Sequence, residues 1–213
     1  TGPKRPPIAA GVRADGTGLV RVVRTPGIAD AIGRVAPGLV VEEVDVTGLP
    51  TSSGIRAAGT AEAQVLLAAL AARAARPSDD ASVRTATVTS AEGATATVTF
   101  GDGVVRVDLR CGAVLDEIVL RSYAIGAVHM ALGWVTSEGL AVDADGEVRD
   151  LTIRSFGVLR AAEMPPVEVI VHDDDGEPIN GSDAVFAATA AAAWSALGWP
   201  PAWPTGRAVG VSE

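Results

Sequence analysis

The 213-residue chain has one cysteine, Cys111, so no internal disulfide is possible. With only two histidines beside it, His129 and His172, a zinc site of Cys and His ligands is not expected. Aromatic residues make up only 4% of the chain, and alanine and valine do most of the filling. Basic clusters are also missing; the richest is Lys4–Arg5, and the net charge is −9. A nucleic-acid binder needs a basic surface to neutralise phosphates, so that class is set aside. No charge-free apolar run approaches the ~20 residues a membrane helix needs. The longest candidate, Val114 to Val135, carries Asp116, Glu117 and Arg121. The opening "TGPKRPPIAAG" does not read as a secretory signal. Together these absences give the expectation of a soluble, cytoplasmic protein.

What is present points to a folded chain: 48% hydrophobic and 20% charged residues. "GVRADGTGLVRVVR" (11–24) reads as a hairpin turning at Asp-Gly, and "LVVEEVDVT" (39–47) as a strand. From Ala61 to Ala75, Leu66, Leu67, Leu70 and Ala71 share one helical face, with Thr60 as N-cap and Pro77 as terminator. "RPSDD" (76–80) is the clearest break. Beyond it "SVRTATVTS", "ATATVTF" and "VVRVDLR" alternate as an antiparallel meander.

A second long helix is expected over Leu115 to Ser137. Gly126 and Gly133 lie two turns apart on it and would permit close backbone approach. "LAVDADGEVRDLTI" reads as a hairpin, "VEVIVH" as a strand, and Asp183 to Leu197 as an alanine-rich helix. The tail "GWPPAWPTGRAVGVSE" reads as loosely ordered. The expectation is an α+β fold of antiparallel and mixed sheets with about three helices. It would form one domain over 1–198, with a possible subdivision near 76–82, and a C-terminal tail over 199–213.

Familiar catalytic signatures are missing: no phosphate-binding G-x-x-x-x-G-K-[ST], no G-x-G-x-x-G and no G-x-S-x-G. "VDADGEVRD" and "DDDGEPINGSD" fail calcium-loop spacing and read as turns. "NGS" (180–182) matches a glycosylation sequon, without weight in an intracellular chain. His129 reads as a satisfied core or interface histidine, His172 as surface electrostatics beside three aspartates, and Cys111 as a small buried residue. Three places stand out: the loop around Arg56, the glycine-spaced helix after Cys111, and the loop ending "NGSDAV". Helix starts at Thr60 and at Ser182–Asp183 could receive an anion through free N–H groups.

The same three places resemble the molybdopterin-binding subunit of the molybdenum hydroxylases: xanthine dehydrogenase, aldehyde oxidase and carbon monoxide dehydrogenase. The family writes A-F-R-G-F-G-x-P-E before a helix; residues 51–62 read T-S-S-G-I-R-A-A-G-T-A-E. The family's D-C-G, G-x-x-x-Q-G-x-G and later E motif runs beside "CGAVLDEIVLRSYAIGAVHMALGWVTSEG". There Cys111, Gly112, Gly126, Gly133 and Glu138 match. "VDADGEVRD…AAEMPPVEV" parallels Y-D-x-D-G…D-M-P-x-I-E-V, and "GSDAVFAATAAAAW" parallels the alanine-rich helix after G-E-P-P-L.

The resemblance implies a fold like part of the molybdopterin-binding domain of xanthine dehydrogenase. Arg56 would orient substrate, its planar fork suiting a carbonyl or carboxylate, or survive as a structural anchor. Ser182 occupies the slot of the family's base glutamate, with Asp183 next to it; a neutral hydroxyl cannot take up a proton as a carboxylate does. Gly59, Tyr123, Gly126 and Gly181 would lie towards a molybdopterin; Tyr123 and Met130 replace family glutamines. Only "ARPSDDAS" stands where the family has a long stretch, so the lone chain is not expected to hold the cofactor. A larger molybdopterin-binding chain would complete it, with flavin and iron–sulfur subunits as further partners. The reaction would be hydroxylation of a small heterocycle or aldehyde with oxygen from water. The other reading is a non-catalytic binding or assembly module derived from that family.

Overall fold

A computed structural model describes residues 8–45, 60–75, 84–139, 141–149, 152–153, 155–206 and 209. The expected hairpin forms as β1 (Ile8–Val12) and β2 (Gly18–Val23), antiparallel, with Ala10 opposite Val20. The turn is fixed by Asp15, whose Oδ1 accepts the Thr17 N–H at 3.0 Å and its hydroxyl at 2.7 Å. A helix absent from the sequence reading follows: α1 (Ile28–Val35), which returns the chain to β3 (Leu39–Val44), parallel to β2. Its signal is Ile28, Ile32 and Val35 at i, i+4, i+7, short enough to pass as a loop.

Helix α2 (Thr60–Ala74) follows. Thr60 is its first helical residue, and Pro77 lies outside the described residues. The meander is β4 (Arg84–Thr89), β5 (Thr95–Gly101) and β6 (Val104–Arg110), all antiparallel. Their alternation buries Val88, Ala96, Val98, Val105, Val107 and Leu109 on one face. Helix α3 (Glu117–Thr136) begins at Asp116, whose Oδ1 accepts the Val119 N–H at 3.0 Å. A two-stranded hairpin, β7 (Ala141–Val142) and β8 (Val148–Arg149), comes next. Strand β9 (Val167–His172) then joins the sheet beside β6, parallel to it, giving the order β4-β5-β6-β9. Helix α4 (Ser182–Ala196) closes the core.

The molecule is thus α+β with a mixed four-stranded sheet and four helices among the described residues. Two clusters of buried side chains hold it. The larger joins the sheet to α2, α3 and α4; the smaller joins β2, α1 and Leu39 to Ala63 of α2. Over 199–206 the tail lies against α3 and α4. Thr205 and Gly206 donate N–H bonds to the Val135 and Thr136 carbonyls at 2.9 and 2.8 Å, satisfying acceptors at the end of α3. Trp203 packs on Trp134 and Trp194. The stretch forms no helix or strand, and indole packing holds Trp203 against the core.

Candidate functional site

The residues expected to form a site fall into separate places. Arg56 and Gly59 lie outside the described residues. The start of α4 is seated against the end of β6. Ile179 donates its N–H to the Cys111 carbonyl at 2.8 Å, and a Cβ at Gly181 would lie 2.5 Å from Leu109 Cδ1. Gly181 is therefore required by packing. Ser182 is 5% exposed, and Asn180 Oδ1 accepts both its N–H at 3.1 Å and its hydroxyl at 2.7 Å. One N–H at this helix start, expected to be free for an anion, is thus already bonded. Asp183 is half-buried beside it.

Tyr123 and Gly126 lie elsewhere in character. Tyr123 is exposed on α3, and a Cβ at Gly126 would meet open space, so that glycine serves no close helix contact. Gly133 makes no close contact with another helix either: a Cβ there would meet only the end of the Glu138 side chain, and the Ser137 and Glu138 N–H groups bond its carbonyl at 2.9 and 2.7 Å. These two matched positions together form the end of α3. Gly112 has φ +77°, and a Cβ on it would collide with the Glu177 backbone. Ala113 and Val114 then donate to the Gly176 carbonyl and to Asp173 Oδ1, at 2.8 and 2.9 Å. The loop before α3 is so joined to the loop before α4.

The two acidic loops are turns. Asp143 Oδ1 accepts the Asp145 and Glu147 N–H groups, each at 3.0 Å, and its Oδ2 takes Arg149 Nε at 2.6 Å. The Arg149 bond, then the Glu147 N–H, hold the Asp143 carboxyl below the usual carboxylate range. Asp174 Oδ1 accepts the Gly176 N–H at 2.9 Å. Among the described residues no group of three or more His, Cys, Asp or Glu could hold a metal ion. His129 Nε2 bonds the Leu159 carbonyl at 2.6 Å, as expected of a satisfied histidine. His172 Nε2 meets Asp108 Oδ1 at 2.9 Å across β6 and β9. Cys111 is buried; burial, then the nearby Asp174 charge, push its thiol up.

Helix α3 is long and apolar enough, by length and composition, to cross a membrane. Ala124, Val128, Ala131, Leu132 and Val135 of this helix are buried in the protein. Others face outward: Ile118 is 81% exposed, Val119, Tyr123 and Ile125 lie between 44% and 51%, and Leu115, just before the helix, is 81% exposed.

A cavity of about 200 Å³ went unread in the sequence. Trp134, Trp194, Trp203, Pro200, Pro201 and Glu62 line it. Its signal was the interleaved "WSALGWPPAWP" and the glutamate ending the Arg56 motif.

No family model and no curated protein sequence matches the chain. Solved structures similar in fold include a Cu,Mo-CO dehydrogenase in its carbon monoxide reduced state, at 13% identity and TM-score 0.37, over 89% of this chain and 34% of that one. Reconstituted CO dehydrogenase from Oligotropha carboxidovorans gives 12% and 0.39 over 89% and 33%. Quinoline 2-oxidoreductase from Pseudomonas putida 86 gives 13% and 0.42 over 88% and 34%. The chain spans about a third of the length of each. No site residue is carried over from them.

Proposed function

We propose that the chain is a partner-dependent module of a molybdenum-cofactor oxidoreductase, docked on a larger chain that binds the molybdopterin. The exposed apolar arc of α3 carries this reading. Ile118, Ser122 and Ile125 follow i, i+4, i+7 spacing, with Val119, Tyr123 and Gly126 beside them. An apolar patch of this kind on a folded protein marks an interface. The motif resemblance of residues 51–62 and 105–197 supplies the identity of the partner.

The described residues do not themselves enclose a molybdopterin. Tyr123 and Gly126 face outward, whereas Gly181 and Ser182 are sealed against Leu109, Cys111 and Asn180. No catalytic step is derived through the cofactor. Tyr123 and Gly126 belong to the docking face in this reading, where a partner's cofactor would meet them. A buried hydroxyl already bonded to Asn180 is no general base. That observation favours the second reading: the module assembles with the enzyme and lacks the base. Arg56 and Asp183 are the side chains that would act on a heterocycle or aldehyde if the complex uses this chain for chemistry.

The test is metal analysis of the tagged chain, alone and as purified with its natural partners. Molybdenum should appear only in the complex, and Ile118→Asp with Ile125→Asp should remove both partner and metal. Stoichiometric molybdenum on the lone chain, or a double variant that retains its partner, overturns the docking face. In the complex, Arg56→Ala separates the readings: a turnover loss above about tenfold with assembly intact places Arg56 in catalysis, and unchanged turnover leaves a scaffold.

A further inference from the structure

We infer that the open edge of the larger sheet is a self-association surface, and that its occupant is a second copy of this chain. Among the described strands of that sheet, β9 comes last in the order, with β6 on one side only. The Pro166 carbonyl accepts the Val105 N–H of β6 at 2.9 Å, and Val105 stands opposite Val167 in the parallel register. Backbone groups alternate in direction along a strand, so those of Val167, Val169 and Val171 face away from β6. Arg121 follows the same alternation: its guanidinium reaches the Val169 carbonyl from α3. That oxygen has a second lone pair for a further donor. The edge runs for six residues, V-E-V-I-V-H, in unbroken register and without lysine or proline. Such an edge is a template for another strand.

The side chains of β9 select which strand it takes. Glu168, Ile170 and His172 share the solvated face, while Val169 is buried on the other. Ile170 is 50% exposed, with an acid two residues before it and a histidine two residues after. Two copies related by a twofold axis pair their edges antiparallel. With the axis at Ile170, that side chain meets Ile170 of the second copy, and Glu168 and His172 each meet the other residue across the axis. His172 has two ring nitrogens: Nε2 bonds Asp108 Oδ1 at 2.9 Å, which leaves Nδ1 to meet the incoming Glu168. Arg110, opposite His172 on β6, adds positive charge on that side. Moving the axis to Val171 would set Glu168 against Asp174, and moving it to Val169 would set His172 against Pro166. The pattern is its own complement in one register.

This inference does not depend on the molybdenum-enzyme reading, and its test needs no partner. The full chain is studied by sedimentation equilibrium over a concentration series, with amide hydrogen exchange at low and high concentration. A monomer–dimer equilibrium is expected, with the Val169 and Val171 amides exchanging at least about tenfold more slowly where the dimer dominates. Ile170→Asp sets like charges face to face and should weaken association at least about tenfold. His172→Glu should weaken it likewise, and adding Glu168→Lys to that variant should restore it. If Ile170→Asp fails to fold, the charge exchange decides alone. Tyr123 lies two residues from Arg121, on the opposite side of α3, so Tyr123→Asp strikes the docking face and should leave this dimer intact. A monomer at every concentration, a dimer removed by Tyr123→Asp, one unchanged by a folded Ile170→Asp, or a charge exchange that restores nothing overturns the proposal.

Discussion

The two halves of the molecule bury their helices in opposite ways. Helix α1 covers one face of the β1-β2-β3 sheet: Ile28 and Ile32 point into Val20, Val22 and Leu39, while the other side is left to solvent. Helix α4 has no solvent side. Ala187, Ala188 and Ala190 to Ala193 are all fully buried between the larger sheet, α2 and α3. A helix enclosed by three neighbours cannot carry a polar stripe, and alanine lets those neighbours approach closely while losing almost no side-chain entropy. The small unit therefore depends on a few branched side chains, and the large one on many close contacts between small ones.

The sharpest way to break that contrast is to delete volume where few side chains carry the load. Ile32→Ala should destabilise by about 2–5 kcal/mol, since Ile32 is fully buried among a handful of neighbours. Urea unfolding read by circular dichroism and by tryptophan fluorescence checks it. All four tryptophans lie outside the small unit, so separated midpoints would show the halves melting apart. The converse experiment adds volume. Ala191→Leu should cost roughly 1–3 kcal/mol through overpacking, whereas a loosely packed α4 would accept the change with a smaller loss.

The smallest effect concerns a surface turn outside both cores. The Asp143 carboxyl is depressed in the folded state, so its contribution is present above the ordinary carboxylate range. It is lost as pH falls through the lowered folded value. NMR titration should place the Asp143 midpoint below that of an unstructured aspartate, and Arg149→Ala should move it back upward.

Legibility followed the same contrast. Alternation wrote β4, β5 and β6 openly, because one sheet face is buried and the other is solvated. Thr87 and Thr97 even meet across the solvated face, hydroxyl to hydroxyl at 2.9 Å. Helix α4 was readable from alanine content and length. Helix α1, only eight residues between Gly27 and Ala36, was too short for periodicity to separate it from a loop. The parallel seating of β9 beside β6 was hidden too, because pairing direction is settled by the path of the intervening chain. Of the matched glycines, Gly112 has a backbone reason that spacing alone could not supply, a left-handed φ beside the Glu177 carbonyl. The cavity was missed because its walls come from α2, α3, α4 and the tail at once.

Helix α2 is where the halves meet. Ala63 belongs to the small cluster, while Ala61, Val65 and Ala68 belong to the large one. The same two turns also reach the tryptophan-lined cavity, through Glu62, Val65 and Leu66. A change that shifts this one helix along its axis would therefore loosen both cores at once, because each has a side of it as a wall.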